Sequence, residues 1–226
     1  MNKTLSVMVA AATLCLASQA SAVTLNFATS GTSGTAVGGI TYTTTGSSGS
    51  SFPGDFPGTP SGAAVTASNA GVFYGLGVNG PGDPAGSGAK TIDTRVAGVS
   101  VVDAWEMLTV SFSSAVNLTD FLLGRFDAND DFEYSINGGA FTTVAAANPL
   151  AMPNGTTDQL DVNFFLGAFN AVTSFSIRAT GTSETDDDDF LLKSMEVSAV
   201  PLPAGGLLLL GGLGALAAMR RRKNAA

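Results

Sequence analysis

Apolar and polar residues alternate through much of this chain. Residues 106–112, EMLTVSF, set Leu108, Val110 and Phe112 on one face and Met107, Thr109 and Ser111 on the other. That period of two is the signature of a half-buried strand. VTLNFAT at 23–29 and GITYTTT at 39–45 read the same way. DFEYSIN alternates Phe132, Tyr134 and Ile136, meets a turn at Asn137-Gly138-Gly139, and returns as AFTTVA. This is the clearest hairpin signal in the chain. VTSFSIRAT alternates Phe175, Ile177 and Ala179 against Ser174, Ser176 and Arg178, and DFLLKSMEVS makes a last strand. Roughly ten short strands follow from these patterns, separated by turns rich in Gly, Pro, Ser, Asn and Asp. No amphipathic helix competes with them, apart from a short helical turn at 144–152 before Pro153. The expected fold is all-β, an antiparallel β-sandwich with jelly-roll-like character. Residues 46–62 and 79–89 show no periodicity and read as long exposed loops.

The two ends break the pattern. The chain opens MNKTLSVMVAAATLCLASQASAV, with Lys3 ahead of an apolar run and small residues at Ala20 and Ala22. That order predicts a secretory signal peptide, residues 1–22, cleaved after Ala22. Cys15 follows Leu14 rather than a small residue, so lipidation is not expected. Cys15 leaves with the signal, and the mature chain then has no thiol for a disulfide, a zinc site or a nucleophile. At the other end, Ala204 to Met219 carries no charge. As a single hydrophobic helix it would be about 24 Å long, short of the roughly 30 Å of a bilayer core. Counting from Val200 lengthens it, with Pro201 and Pro203 in a first turn that tolerates proline. Gly211/Ala215 and Gly214/Ala218 allow close helix contact in lipid. Arg220, Arg221, Arg222 and Lys223 form a basic stop that stays cytoplasmic by the positive-inside rule. Three regions result: 1–22, a body of 23–199, and a tail of 200–226.

Val200-Pro201-Leu202-Pro203-Ala204, followed by the Gly/Leu/Ala span and the arginine cluster, resembles the VPLPA-CTERM class of PEP-CTERM sorting signals of Gram-negative bacteria. The resemblance covers the tail alone. It implies recognition by an exosortase, a membrane-embedded transpeptidase-like protease that cuts near the proline motif. It also implies an inner-membrane-anchored precursor and delivery to the cell surface or exopolysaccharide matrix. An ordinary tail anchor is the alternative. A Gram-positive sortase signal fits less well, because Gly205-Gly206 stands after Leu202-Pro203-Ala204 where Thr-Gly is needed.

Charge narrows the functions of the body. The chain has 18 acidic and 10 basic residues. Lys3 and the tail cluster hold half of the basic ones, whereas every acid lies in 23–199. So acidic a body lacks the footprint needed to bind nucleic acid or anionic lipid. The chain has no histidine, which excludes His-based triads, His metal sites and His pH switches.

One short echo stands out: NDDFEYSI at 129–136 and DDDFLLKSM at 187–195. In each, an acidic cluster runs through Asp-Phe into a strand. The candidate calcium ligands are Asp127, Asn129 and Asp131 in the first cluster and Asp187 and Asp189 in the second. Calcium takes six to eight oxygens, and loop carboxylates supply them. The first cluster is not an EF-hand, since Phe132 and Gly138 stand where the turn glycine and bidentate glutamate belong. The alternative is a pair of solvated loops that keep strand ends from pairing with other molecules.

Signals for catalysis are weak. The acids within strands are Asp93, Glu106, Glu133 and Glu196, and Trp105 beside Glu106 would suit either sugar stacking or packing at a sheet edge. There is no G-x-S-x-G and no phosphate-binding glycine loop framed by strand and helix. The expected function is that of an exported structural or adhesive protein of the surface or matrix, not an enzyme. Its expected partners are an exosortase, extracellular polysaccharide and, transiently through the C-terminal helix, the inner membrane. A calcium-dependent carbohydrate-binding module is the second expectation, and a glycan-cleaving enzyme the third.

Overall fold

The computed structural model describes residues 21–27, 31–49, 61–70, 73–79, 91–93, 105–127, 130–144, 160–180 and 188–200, together with Gly212 and Gly214. Residues 21–199 form one compact unit. Its strands are β1 (Ala22–Asn26), β2 (Ser33–Thr35), β3 (Thr41–Gly49), β4 (Ser61–Ala70), β5 (Phe73–Asn79), β6 (Ile92–Asp93), β7 (Trp105–Phe126), β8 (Phe132–Ile136), β9 (Thr142–Val144), β10 (Leu160–Ala179) and β11 (Asp189–Ala199). A 3-10 turn, Val37–Gly39, separates β2 from β3. The body is all-β, and each strand pairing described is antiparallel.

Two strands are far longer than the pattern predicts. β7 has 22 residues and β10 has 20. They pair with each other along most of their length, with register shifts between Ser174↔Ser111 and Val172↔Val116 and again between Phe169↔Leu118 and Phe165↔Asp120. Such bulges bend and twist a ribbon. The first half of β7 also pairs with β3, as far as Phe112, and the second half pairs with β11, from Val116 onward. At the changeover the Ser113 hydroxyl accepts the Thr41 backbone N–H at 2.9 Å. A side chain thus takes over the ladder where the strand turns away from its partner.

The expectation of two separate sheets is not what the hydrogen bonding draws. The strands form one eleven-stranded network, in the order β1-β11-β5-β4-β3-β7-β10-β8-β9, with β2 paired to β3, β6 paired to β11 and an added β11–β7 pairing. That addition closes a barrel-like circuit: β7, β3, β4, β5, β11 and back to β7. Five straight strands cannot close a ring that is antiparallel at every step, because the direction alternates and an odd count ends in conflict. The bend in β7 relieves the conflict, and the seam between β5 and β11 is a single pair, Leu192↔Leu76. Gly75 makes the seam possible. A Cβ there would lie 2.8 Å from the Leu192 carbonyl oxygen, closer than real contacts allow.

Leu108, Val110, Phe121, Leu123, Phe175, Ile177, Leu192 and Val197 are among the buried residues of one continuous core. The faces read for 106–112 and 172–180 hold: Leu108, Val110, Phe112, Phe175, Ile177 and Ala179 point inward. Arg178 departs from its expected solvent face. It is buried to 8 % exposure because Glu133 accepts its Nε–H at 2.8 Å and its guanidinium lies 3.8 Å over the Phe141 ring. The predicted hairpin is present as β8 and β9. Asn137 and Gly138 both have positive φ, 54° and 68°, as a tight hairpin turn requires. Asn137 Oδ1 accepts the Thr173 N–H at 2.6 Å and pins that turn to β10.

Residues 46–49 and 61–62, expected in a loop, belong instead to β3 and β4. The glycine that hid the strand is Gly46, which sits where a Cβ would come 2.9 Å from the Ala63 carbonyl oxygen. Asn79 ends β5. The rest of both expected loops lies outside the described residues, as does the helical turn expected at 144–152, except for Val144, which ends β9 as strand instead. The expected C-terminal helix also lies outside them, except for Gly212 and Gly214, whose backbone is helical. Among the described residues no helix is long and apolar enough to cross a membrane.

Candidate functional site

The two acidic echoes meet. Asp130 Oδ1 accepts the backbone N–H of Asp189 at 3.0 Å, and Asp188 Oδ1 accepts the backbone N–H of Asp131 at 3.0 Å. The bonding is reciprocal. In each Asp-Asp-Phe, the first aspartate caps the amide of the second aspartate in the other copy. Asp130 Oδ2 also accepts the Asp127 N–H at 2.7 Å and closes its own loop. Arg125 reaches Asp189 at 2.8 Å. Its backbone has φ of 64°, a left-handed conformation that costs a non-glycine residue about 1 kcal/mol or more. The Thr180 N–H closes the arrangement on the Asp131 carbonyl at 3.3 Å.

Phenylalanines carry this clasp. Phe132 and Phe190, which follow the paired aspartates, have ring centroids 6.0 Å apart. Phe126 contacts both, at 5.8 and 6.0 Å, and Phe164 stands edge-on to Phe132 at 4.7 Å. This apolar floor removes water from below. Asp130 is 1 % exposed and Asp188 is fully buried. Burial pushes the Asp130 carboxyl up to about 8. The N–H groups of Asp189 and Asp127 pull the other way, and the charges of Asp127 and Asp189 raise it further. Desolvation outweighs the two amide bonds, so Asp130 holds a proton at neutral pH.

Of the candidate calcium ligands, Asp127, Asp131 and Asp189 fall within this clasp, whereas Asn129 and Asp187 lie outside the described residues. Among the described residues, no group of three or more Asp, Glu, Cys or His side chains is arranged to hold a metal ion. What the carboxylates demonstrably do is bind amides. The most buried members, Asp130 and Asp188, are not in the candidate ligand set. The signal that could have found them is their place in the echo, each one residue ahead of Asp-Phe.

Ala22, the expected cleavage residue, pairs with Ser198, so the first and last strands lie side by side. Ala20 lies outside the described residues, as do Pro201, Leu202, Pro203, Ala204, Arg220, Arg221, Arg222 and Lys223. Val200 is exposed and follows directly on β11. Trp105 opens β7, and Glu106 beside it is buried. Comparison with known proteins adds no relative: no family model, no curated protein and no solved structure matches this chain.

Proposed function

We propose that this protein is an exported structural or adhesive component of the cell surface or exopolysaccharide matrix of a Gram-negative bacterium. A signal peptide, residues 1–22, directs export, and an exosortase processes the tail from Val200 onward. The observation that carries the reading is the order Val200-Pro201-Leu202-Pro203-Ala204, apolar span, arginine cluster. The extent of the compact unit, residues 21–199, supports the division into signal, body and tail. In this reading the barrel-like network is a distorted jelly-roll sandwich, its two layers sharing the bent β7 and β10. The proposal includes no catalytic step.

Mass spectrometry of surface-released protein tests it. The expected N-terminus is Val23, with a C-terminus at or near the proline motif. Replacing Pro201 and Pro203 with alanine is expected to leave the precursor in the inner membrane. Normal release of that double variant would point to a plain anchor or to cleavage unrelated to the motif.

The calcium-dependent binding module stays as a second reading, because the two acidic loops do come together. A metal that binds only the folded state stabilises it by about 2.7 kcal/mol at a hundredfold excess over Kd. The melting temperature is then expected to rise by several degrees in millimolar calcium, and the Asp131→Asn, Asp189→Asn double variant to lose that rise. No response to calcium or to chelator rejects this reading and leaves the clasp as a structural device.

A further inference from the structure

We propose that the outer face of the sheet formed by β10, β7, β11 and β1 binds a polysaccharide that carries free amino groups. This deepens the reading of the protein as a matrix component and rests on it.

Two rows of residues cross that face in register. The first is Phe165, Asp120, Glu196 and Thr24; the second is Asn163, Leu122, Ser194 and Asn26. Directly paired residues in an antiparallel sheet point to the same side. Along β10 the alternation confirms which side it is: Val162 and Phe164 are buried, whereas Asp161, Asn163 and Phe165 are exposed. Phe165 is 78 % exposed. A phenylalanine left in water at the end of a polar row supplies an apolar platform, of the kind on which the C–H face of a sugar ring rests. Three steps between strands carry the row from Phe165 to Thr24, about 14 Å. This is an extended row suited to an oligosaccharide rather than a pocket for one ring.

Charge selects the sugar. Asp120 and Glu196 are side by side in the middle of the row. Two ionised carboxylates paired directly across the ladder repel, and the Asp120 charge, together with its hydrogen bond, holds the Glu196 carboxyl above its ordinary range. Lys193, on the same strand as Glu196, is bonded to Asp161. Thr119 Oγ1 contacts Asp120 Oδ2 at 3.4 Å and the Glu196 carbonyl at 3.3 Å, which offers hydrogen bonding but no charge. An ammonium group on the ligand is the missing complement, since a charge-assisted bond to either carboxylate removes the repulsion. A neutral or N-acetylated sugar brings no such charge, and an acidic one adds to the repulsion. A hexosamine polymer unites both demands: a ring for Phe165 and an ammonium for the Asp120–Glu196 pair.

The test is calorimetric titration of the full chain with three oligomers of equal length: glucosamine, N-acetylglucosamine and a neutral glucan. The glucosamine oligomer is expected to bind at least about tenfold more tightly than the other two. Phe165→Ala and Glu196→Gln are each expected to weaken it about tenfold, as loss of an aromatic contact or of a charge-assisted bond does. Both changes lie on the solvent face, so melting temperature and circular dichroism should hold. Equal binding of the three oligomers, or unchanged binding by both variants, overturns the proposal. So does polylysine binding as tightly as the glucosamine oligomer with no effect of Phe165→Ala, which would make the face a generic anionic surface. Matrix retention is scored separately by washing cells. Protein retained in the matrix without oligomer binding defeats the site alone; oligomer binding without retention defeats the matrix reading alone.

Discussion

Replacing Asp130 by asparagine separates the charge of the clasp from its shape. Asparagine keeps one acceptor oxygen, enough for the Asp189 amide, but turns an NH2 group toward the Asp127 N–H that Asp130 Oδ2 accepts at 2.7 Å. One unmatched buried polar contact costs about 1–3 kcal/mol, so the variant should be less stable than wild type in acid. The pH dependence carries more information. In the fold, burial pushes Asp130 up to about 8, whereas the unfolded carboxyl titrates near its ordinary value of about 3.9. Below about pH 4 both states hold the proton and ionisation costs the fold nothing. Between there and pH 8 the unfolded chain releases the proton and the folded chain keeps it. Stability therefore falls as pH rises, by up to about 1.4 kcal/mol per pH unit. Above pH 8 the loss is complete, with an upper bound of about 6 kcal/mol. The substituted amide cannot ionise and escapes this loss. The stability curves of the two proteins should therefore converge as pH rises, and the variant should equal or exceed wild type by about pH 9. Urea unfolding at pH 5, 7 and 9 with chelator present measures both curves, and their difference cancels the other carboxylates. A stability difference that stays constant across this range would refute the buried, protonated Asp130.

Three further outcomes follow from the packing. Gly75→Ala forces a Cβ to within 2.8 Å of the Leu192 carbonyl oxygen at the β5–β11 seam and should cost about 1–3 kcal/mol, read as a lower urea midpoint. Phe175→Ala removes a fully buried ring whose centroid lies 5.0 Å from that of Phe121 and should cost about 3–5 kcal/mol by the same measurement. Arg178→Ala leaves Glu133 without its guanidinium and exposes Phe141. A loss of about 2–4 kcal/mol is expected, and Glu133→Gln in the Arg178→Ala background should recover part of it, which a purely steric role for Arg178 would not produce.

Some of this was legible residue by residue. The inward faces of 106–112 and 172–180, the hairpin at Asn137-Gly138 and the last strand all follow from local period or turn chemistry, and both are written along the chain. Tertiary structure decided whatever depends on a distant partner. Residues 113–115 look like the end of a strand, yet β7 continues through them, because β3 hands its place to β11 and the inward phase resumes at Val116. Arg178 occupies a polar position in an unbroken alternation and is nonetheless buried, because Glu133 and Phe141 arrive from the neighbouring hairpin. Of Phe164 and Phe165, adjacent in an apolar run, the pleat buries one and the bulged pairing with Asp120 leaves the other in water. The Asp-Asp-Phe echo was visible as a pattern, but its meaning was not. Whether a carboxylate is solvated, metal-bound or buried against an amide depends on what faces it, and for Asp130 that is a backbone N–H 59 residues away.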